Sequence, residues 1–313
     1  MSTYVMHKLG KDVSHEQWLE YRREGIGGSD ASIIAGLNQF GSEMELWLDK
    51  IGRGVEKPAT EAMRLGTELE DYVARRWMEE TGKKVERRHA IYGNTDYPFA
   101  LANIDRKVKG ENAGLECKTT NPFSKYDFEE GEIAPYYYVQ CVHYMAVMGF
   151  DRMYLAVLVL GKGFYTFVIE RDEDEIERLM TAEKEWWEKH IGNGEMPDPD
   201  GSSSAAGVLK RMYPVAQEGE HKLLYGKEGD MARYIDLTGE IDRLKKEQEA
   251  IKQGLCMMMG EAEEGSARGF KITWKNQNSA RVDSKKLKDK YPLVYADCSK
   301  QSAGRIFRLK AVQ

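Results

Sequence analysis

Between residues 61 and 81, apolar side chains fall at Leu65, Leu69, Val73, Trp77 and Met78, the three- and four-residue spacing that lines one face of a helix. Shorter helices are predicted at 14–24, where Ser14 and Gln17 form a capping box, and at 44–51. Another follows at 30–36, after the glycine-rich GIGGSDAS of 25–32, with Ser29 as its cap. The period then changes. Residues 85–92, 99–108 and 114–119 read as strands, the last two joined as a hairpin by a turn at 109–113. A helix follows at 135–148, then strands at 152–160 and 164–170 across Gly161-Lys162-Gly163, then a charged helix at 172–191. This order of elements predicts an α/β core over 1–191 with a central mixed, largely antiparallel sheet flanked by helices.

Residues 192–207, rich in Gly, Pro and Ser, read as a linker. The remainder, 208–313, reads as a C-terminal appendage, helical with a small α/β part. Tyr234, Leu237, Ile241, Leu244, Ile251, Leu255 and Met258 keep alternating spacings of three and four, with polar Gln248 filling one seam position, the mark of an amphipathic or coiled-coil helix. Strands are expected at 269–275 and 304–310, and no internal repeat is visible.

Composition narrows the function. No apolar run approaches the roughly 18 residues of a membrane span, and Met1–Gly10 is too polar for a secretory signal. Cysteines stand far apart at 117, 141, 256 and 298, without a CxxC pair, which disfavours zinc ribbons and disulfide frameworks and suits a reducing cytoplasm. The six histidines show no HExxH or HxH spacing, and no GxSxG elbow occurs. Net charge over the 313 residues is −6, but 270–313 holds 11 Lys and Arg against three Asp, about +8, leaving about −14 elsewhere. A basic tail on an acidic body is compatible with DNA, because local patches set the field a phosphate meets.

The sharpest chemical candidate is Asp105 on one strand with Glu116-Cys117-Lys118 on the next. Strand alternation puts Glu116 and Lys118 on one face, and the hairpin brings Asp105 opposite. Two carboxylates and an ammonium suit metal-assisted phosphodiester hydrolysis, although an ordinary surface hairpin carries the same letters. Glu70, on the preceding helix, offers a further carboxylate, and Gln140 and Tyr144 lie one helical turn apart in YYYVQCVHYM. Arg22 and Arg23, with the open amides near Ser29, form a candidate anion pocket. GIGGSD lacks the lysine of a nucleotide-binding P-loop.

In the order WLEYRREGIGGSDASIIAG, MRLGTELEDYV, ANIDRKV, LECKTT and YYYVQCVHYMAVMG, residues 14–191 resemble the YqaJ-type viral recombinases, which are similar to phage lambda exonuclease within the PD-(D/E)xK nuclease superfamily. The resemblance implies a restriction-endonuclease-like fold. It also implies a magnesium-dependent 5′→3′ exonuclease on linear double-stranded DNA that releases 5′-mononucleotides. The remaining 3′ strand would pass to a phage single-strand annealing protein. Manganese can substitute, and relatives form ring-shaped homotrimers; a phage or prophage origin within a bacterial cytoplasm is expected. Carried onto this chain, Asp105, Glu116 and the Cys117 carbonyl match metal ligands, with Glu70 near a second ion. Lys118 matches the catalytic lysine and Gln140 the amide of the helix carrying Tyr144. Arg22, Ser29 and, less directly, Arg23 match the pocket for a terminal 5′-phosphate. Ile104 stands where many members of the superfamily have proline. Two other readings fit the same residues: a structure-specific endonuclease using the same site, and a non-catalytic protein that binds DNA ends or a partner.

Overall fold

Capping chemistry places the first helices. After strand β1 (Thr3–Lys8), helix α1 (His15–Arg23) starts at Ser14, whose hydroxyl accepts from Gln17 N while the Gln17 side chain accepts from Ser14 N. Helix α2 (Gly28–Ile34) begins earlier than the sequence suggests. Gly27 and not Ser29 is its N-cap, and Asp30 closes the turn by accepting from Gly27 N at 2.9 Å. Ser42 and Thr60 cap α3 (Glu43–Lys50) and α4 (Glu61–Thr81). The computed structural model describes residues 2–10, 12–55, 58–300 and 304–311, and the chain divides into units Met1–Met212 and Tyr213–Gln313.

Strands β2 (Val85–Glu86), β3 (Ala90–Asn94), β4 (Leu101–Ala102), β5 (Arg106–Val108) and β6 (Ala113–Thr120) follow. Each of the two long strands expected at 85–92 and 99–108 is divided between two sheets. The chain leaves one sheet and joins the other near 87–89 and again near 103–105, where the Asn103 amide donates to Ala90 O at 3.2 Å. Helix α5 (Pro135–Met148), strands β7 (Arg152–Val159) and β8 (Gly163–Glu170) and helix α6 (Glu173–Trp186) complete the expected series. The last turn of the expected helix, Trp187–Gly192, widens to a π-helix.

The main sheet runs β2-β5-β6-β7-β8, antiparallel except for the parallel β6–β7 pair; β1-β3-β4 form a small sheet. A parallel neighbour needs a crossover, and α5 supplies it. The architecture is thus the expected α/β one, a mixed sheet with helices on both faces. On one face Val73 and Trp77 of α4 pack against Leu115, Tyr154 and Ala156. On the other, Met145 and Val147 of α5 and Ile176 and Met180 of α6 cover Met153, Leu155 and Val157. His143 ties the helical layer together: Nδ1 meets Glu183 Oε1 at 2.8 Å and Nε2 donates to Leu101 O at 2.9 Å. Burial disfavours its charge, but Glu183 outweighs burial and raises its pKa. Among the described residues, no helix is long and apolar enough to cross a membrane.

The expected linker at 192–207 is not irregular throughout. Helix α7 (Ser203–Met212) begins inside it, because Ala205 and Val208 are buried and Ser204 bonds Ser42 and Glu45 of the α3 segment. In the second unit, the long helix α8 (Glu228–Met259) is followed by a hairpin of β9 (Glu264–Ala267) and β10 (Phe270–Thr273), then α9 (Ser284–Lys290) and α10 (Pro292–Cys298). The expected strand at 269–275 is therefore present, but residues 304–310 form none. The partner of β10 is the run just before it: Gly269, at φ 79°, allows a tight turn, and local pairing needs far less loop closure than a partner some 30 residues on.

Leu155, fully buried on β7 between the layers, carries a direct check of this core. Leu155→Ala is expected to lower stability by about 2–5 kcal/mol in chemical denaturation.

Candidate active site

The site grows from the register of β5 and β6. Arg106 pairs with Leu115, and continuing that register sets Asp105 opposite Glu116. Alternation then turns Leu115 toward α4 and Glu116 and Lys118 toward α5. Asp105 is locked in place where β5 begins, its Oδ2 accepting from Cys117 N at 2.9 Å.

Around Glu116 a closed set of polar contacts forms. Lys118 Nζ lies 2.7 Å from Glu116 Oε1 and donates to Gln140 Oε1 at 2.9 Å. Gln140 Nε2 donates to Glu116 Oε1 at 2.7 Å and to Tyr144 OH at 3.2 Å, and Tyr144 OH donates to Asn103 O at 3.1 Å. Among the described residues, Glu116 Oε2 is buried and has no hydrogen-bond partner. The Lys118 ammonium also lies 5.1 Å from the Tyr137 ring centre, a cation–π contact.

These charges alter one another. Burial, then the neighbouring Glu116 and Glu70 carboxylates, hold the Asp105 pKa well above the usual carboxylate range. Burial also raises that of Glu116, against the pull of Lys118. For Lys118, burial opposes the charge, but Glu116 and Asp105 outweigh it and keep the amine protonated.

A second cluster lies at the α1–α2 turn. Arg22 Nη2 donates to Ser29 Oγ at 3.2 Å and stands 3.6 Å from Asp30, with its guanidinium 4.9 Å from the Trp18 ring centre. Lys50, 1% exposed, donates to Arg22 O, Gly25 O and Asp30 Oδ2 at 2.6–2.8 Å and so pins this turn. Trp18 lines two clefts: one of about 230 Å³ over Asp105 and Glu70, and one of about 630 Å³ that includes Arg22 and Met63.

A family model described as the YqaJ-like viral recombinase domain matches residues 17–151. The chain is 39% identical over 305 residues to uncharacterized protein YqaJ of Bacillus subtilis strain 168, covering 96% of both. The chain belongs to the YqaJ-like viral recombinase family. Solved structures of similar outline include an alkaline exonuclease from Laribacter hongkongensis, with 20% identity, a TM-score of 0.48 and coverage of 64% of this chain and all of that one. A phage-related exonuclease from Haemophilus somnus 129PT gives 14% identity, a TM-score of 0.41 and coverage of 57% and all respectively.

In this YqaJ-like chain, Asp105, Glu116, Cys117, Lys118, Gln140 and Tyr144 come together. Glu70 approaches from α4, on the opposite sheet face, and is held by Arg106 and Arg87. Arg106 also bonds Asp71 and donates to the Asp105 carbonyl at 2.7 Å. Arg22 and Ser29 meet as expected, whereas Arg23 turns to Asp49, 3.9 Å away. Four contributors escape sequence reasoning: Arg106, Lys50, Tyr137 and Gly28. A lone cation on a strand or helix reads as surface, and Tyr137 is hidden in a run of three tyrosines. Gly28 had a signal in its glycine-rich turn. A β-carbon there would stand 2.8 Å from Gln140 Cγ and Tyr144 Cε1, so only glycine lets α2 approach α5 this closely.

The donor set fits a hard cation. Among the described residues no three His, Cys, Asp or Glu side chains gather in one metal-holding group. An ion here would instead rest on two carboxylates, the Cys117 carbonyl and water, the oxygen set that magnesium prefers. The unpartnered Glu116 Oε2, beside a like charge, is the atom such an ion would satisfy.

Without metal, the raised Asp105 pKa has a defined consequence. A carboxyl that binds its proton more tightly when folded adds stability at low pH, and that contribution is lost as pH rises through the folded pKa. In EDTA, Asp105→Asn is therefore expected to melt above wild type at pH 8, by about 2–4 °C per kcal/mol relieved, with the gap closing toward pH 4. Equal melting temperatures at pH 8 would contradict the crowded-carboxylate description.

Proposed function

We propose that the protein is a magnesium-dependent 5′→3′ exonuclease acting on linear double-stranded DNA, releasing 5′-mononucleotides and leaving 3′ strands for a phage-type annealing protein. The observation that carries this reading is the buried Glu116 carboxylate with one open oxygen, set beside Asp105 and a charged Lys118. Family membership supports it. A homotrimer that threads DNA is the assembly this reading adopts from the family resemblance.

Magnesium held by Asp105, Glu116 and the Cys117 carbonyl would supply a Lewis acid for the phosphodiester and make the attacking water more acidic; manganese can stand in. The remaining work belongs to the chain. Lys118, kept protonated by its neighbours, offers positive charge where the phosphorane accumulates negative charge. Gln140 holds Glu116 and Lys118 in a fixed relation through one amide. A second ion near Glu70 would compete with Arg106 and Arg87 for that carboxylate. Arg22 and the Ser29 hydroxyl would receive a terminal 5′-phosphate, and Trp18 lines both the cleft at Arg22 and the cleft over Asp105.

The test uses full-length protein with blunt linear duplex bearing 5′-phosphate or 5′-hydroxyl ends, and covalently closed circles. With magnesium, linear DNA is expected to be digested, phosphorylated ends preferentially, while circles survive and EDTA stops turnover. Cleavage of closed circles would favour the endonuclease reading, and metal-independent binding without hydrolysis the non-catalytic one.

Lys118→Ala, shown to be folded and assayed with magnesium, is expected to cut turnover on the order of 10²–10³-fold while leaving DNA affinity nearly unchanged. Arg22→Gln is expected to erase most of the preference for 5′-phosphate over 5′-hydroxyl ends.

A further inference from the structure

Helix α8 runs for 32 residues, and none of them is buried. Tyr234 near its start meets Phe307 edge-on at 5.5 Å between ring centres, but a helix covered so little draws little stability from packing, the main source of helix stability in proteins. Its apolar positions are nevertheless ordered. Tyr234, Ile241, Gln248 and Leu255 repeat every seven residues, as do Leu237, Leu244, Ile251 and Met258 three places on. These are the a and d positions of a heptad, and the apolar members are all about two-fifths exposed or more. A strict seven-residue repeat produces a left-handed supercoil with a partner helix rather than a face packed on a sheet.

The flanking charges specify the partner. Positions g before the seam carry Glu240 and Glu247, and positions e after it carry Lys245 and Lys252. In a parallel, in-register pair each g residue faces the e′ residue five places on: Glu240 faces Lys245′, and Glu247 faces Lys252′. Both pairings are attractive, and each occurs twice. An antiparallel pair would set g against g′ and e against e′, placing Glu beside Glu and Lys beside Lys. The pairs these residues now make within the helix, Arg233–Glu240, Arg243–Glu247 and Lys252–Glu249, lie in water and are readily exchanged. Gln248 adds a polar seam position, a device that holds two helices in one register.

We propose that α8 is a self-association helix that pairs, parallel and in register, with α8 of a second copy of this chain. The occupant is another copy because complementary charges reside on one helix, in the offset that only a parallel identical partner matches. This inference does not rest on the nuclease reading; with the homotrimer adopted there, each α8 pair would join copies from two different trimers.

The test uses the full chain with Cys256→Ser and Cys298→Ser. In that background Leu237→Cys is expected to form an interchain disulfide efficiently under mild oxidation, since parallel register brings the two 237 positions together, whereas Gly239→Cys on the outer face should link poorly. Glu240→Lys with Glu247→Lys should weaken association on the order of tenfold or more, and adding Lys245→Glu with Lys252→Glu should restore it. That rescue separates lost charge pairing from lost folding. Linking of Leu237→Cys to Leu255→Cys chains in place of 237 to 237′ would overturn the parallel arrangement. Absence of any α8 linkage, or indifference to the charge reversals, would overturn the proposal. Disulfide yield is read without reference to DNA hydrolysis, so either idea can fail alone.

Discussion

Asp105 and Glu116 carry like charges and sit opposite one another at the buried end of a strand pair, where burial and mutual repulsion both raise the cost of ionising them. Much of the surrounding structure manages that cost. The Cys117 amide donates to Asp105, while Lys118 and Gln140 converge on a single oxygen of Glu116. The second Glu116 oxygen is left open, an imbalance that a bound cation would offset.

Such a site requires α5 in one position. Gln140 reaches Glu116 and bonds the Tyr144 hydroxyl, Gly28 leaves room for α2 against that helix, and the His143–Glu183 pair ties α5 to α6. The α1–α2 turn is in turn anchored by Lys50, which satisfies two backbone carbonyls and the Asp30 carboxylate in a nearly dry setting. Its positive charge, with Arg22, draws the Asp30 pKa down despite burial. The residues proposed to receive a DNA terminus thus rest on the same packing that holds the residues proposed to cut it.

The second unit follows a different logic. Its long helix has an ordered seam without a hydrophobic core of its own, so its stability depends on what covers it. Positive charge is concentrated in the residues after that helix, while the body of the chain is acidic. A chain with net charge −6 can still meet DNA if its cations are placed where the phosphates run.

Much of this was legible in residue order. Helical spacing marked α4 and the seam of α8, Ser14 and Gln17 marked the start of α1, and the Asp105–Lys118 constellation stood out because strand alternation and a short turn are local geometry. The same local reasoning misplaced the cap of α2 and merged strands that serve two sheets, since a break between sheets leaves no mark in hydrophobic periodicity. It also read α7 as linker, because Ser and Ala report nothing about the α3 surface they meet. Arg106, Lys50 and the ion pairs of Glu70 were invisible for a related reason. Whether a charge is solvated or buried depends on residues far away in the chain, and only the packed structure brings those partners within bonding distance.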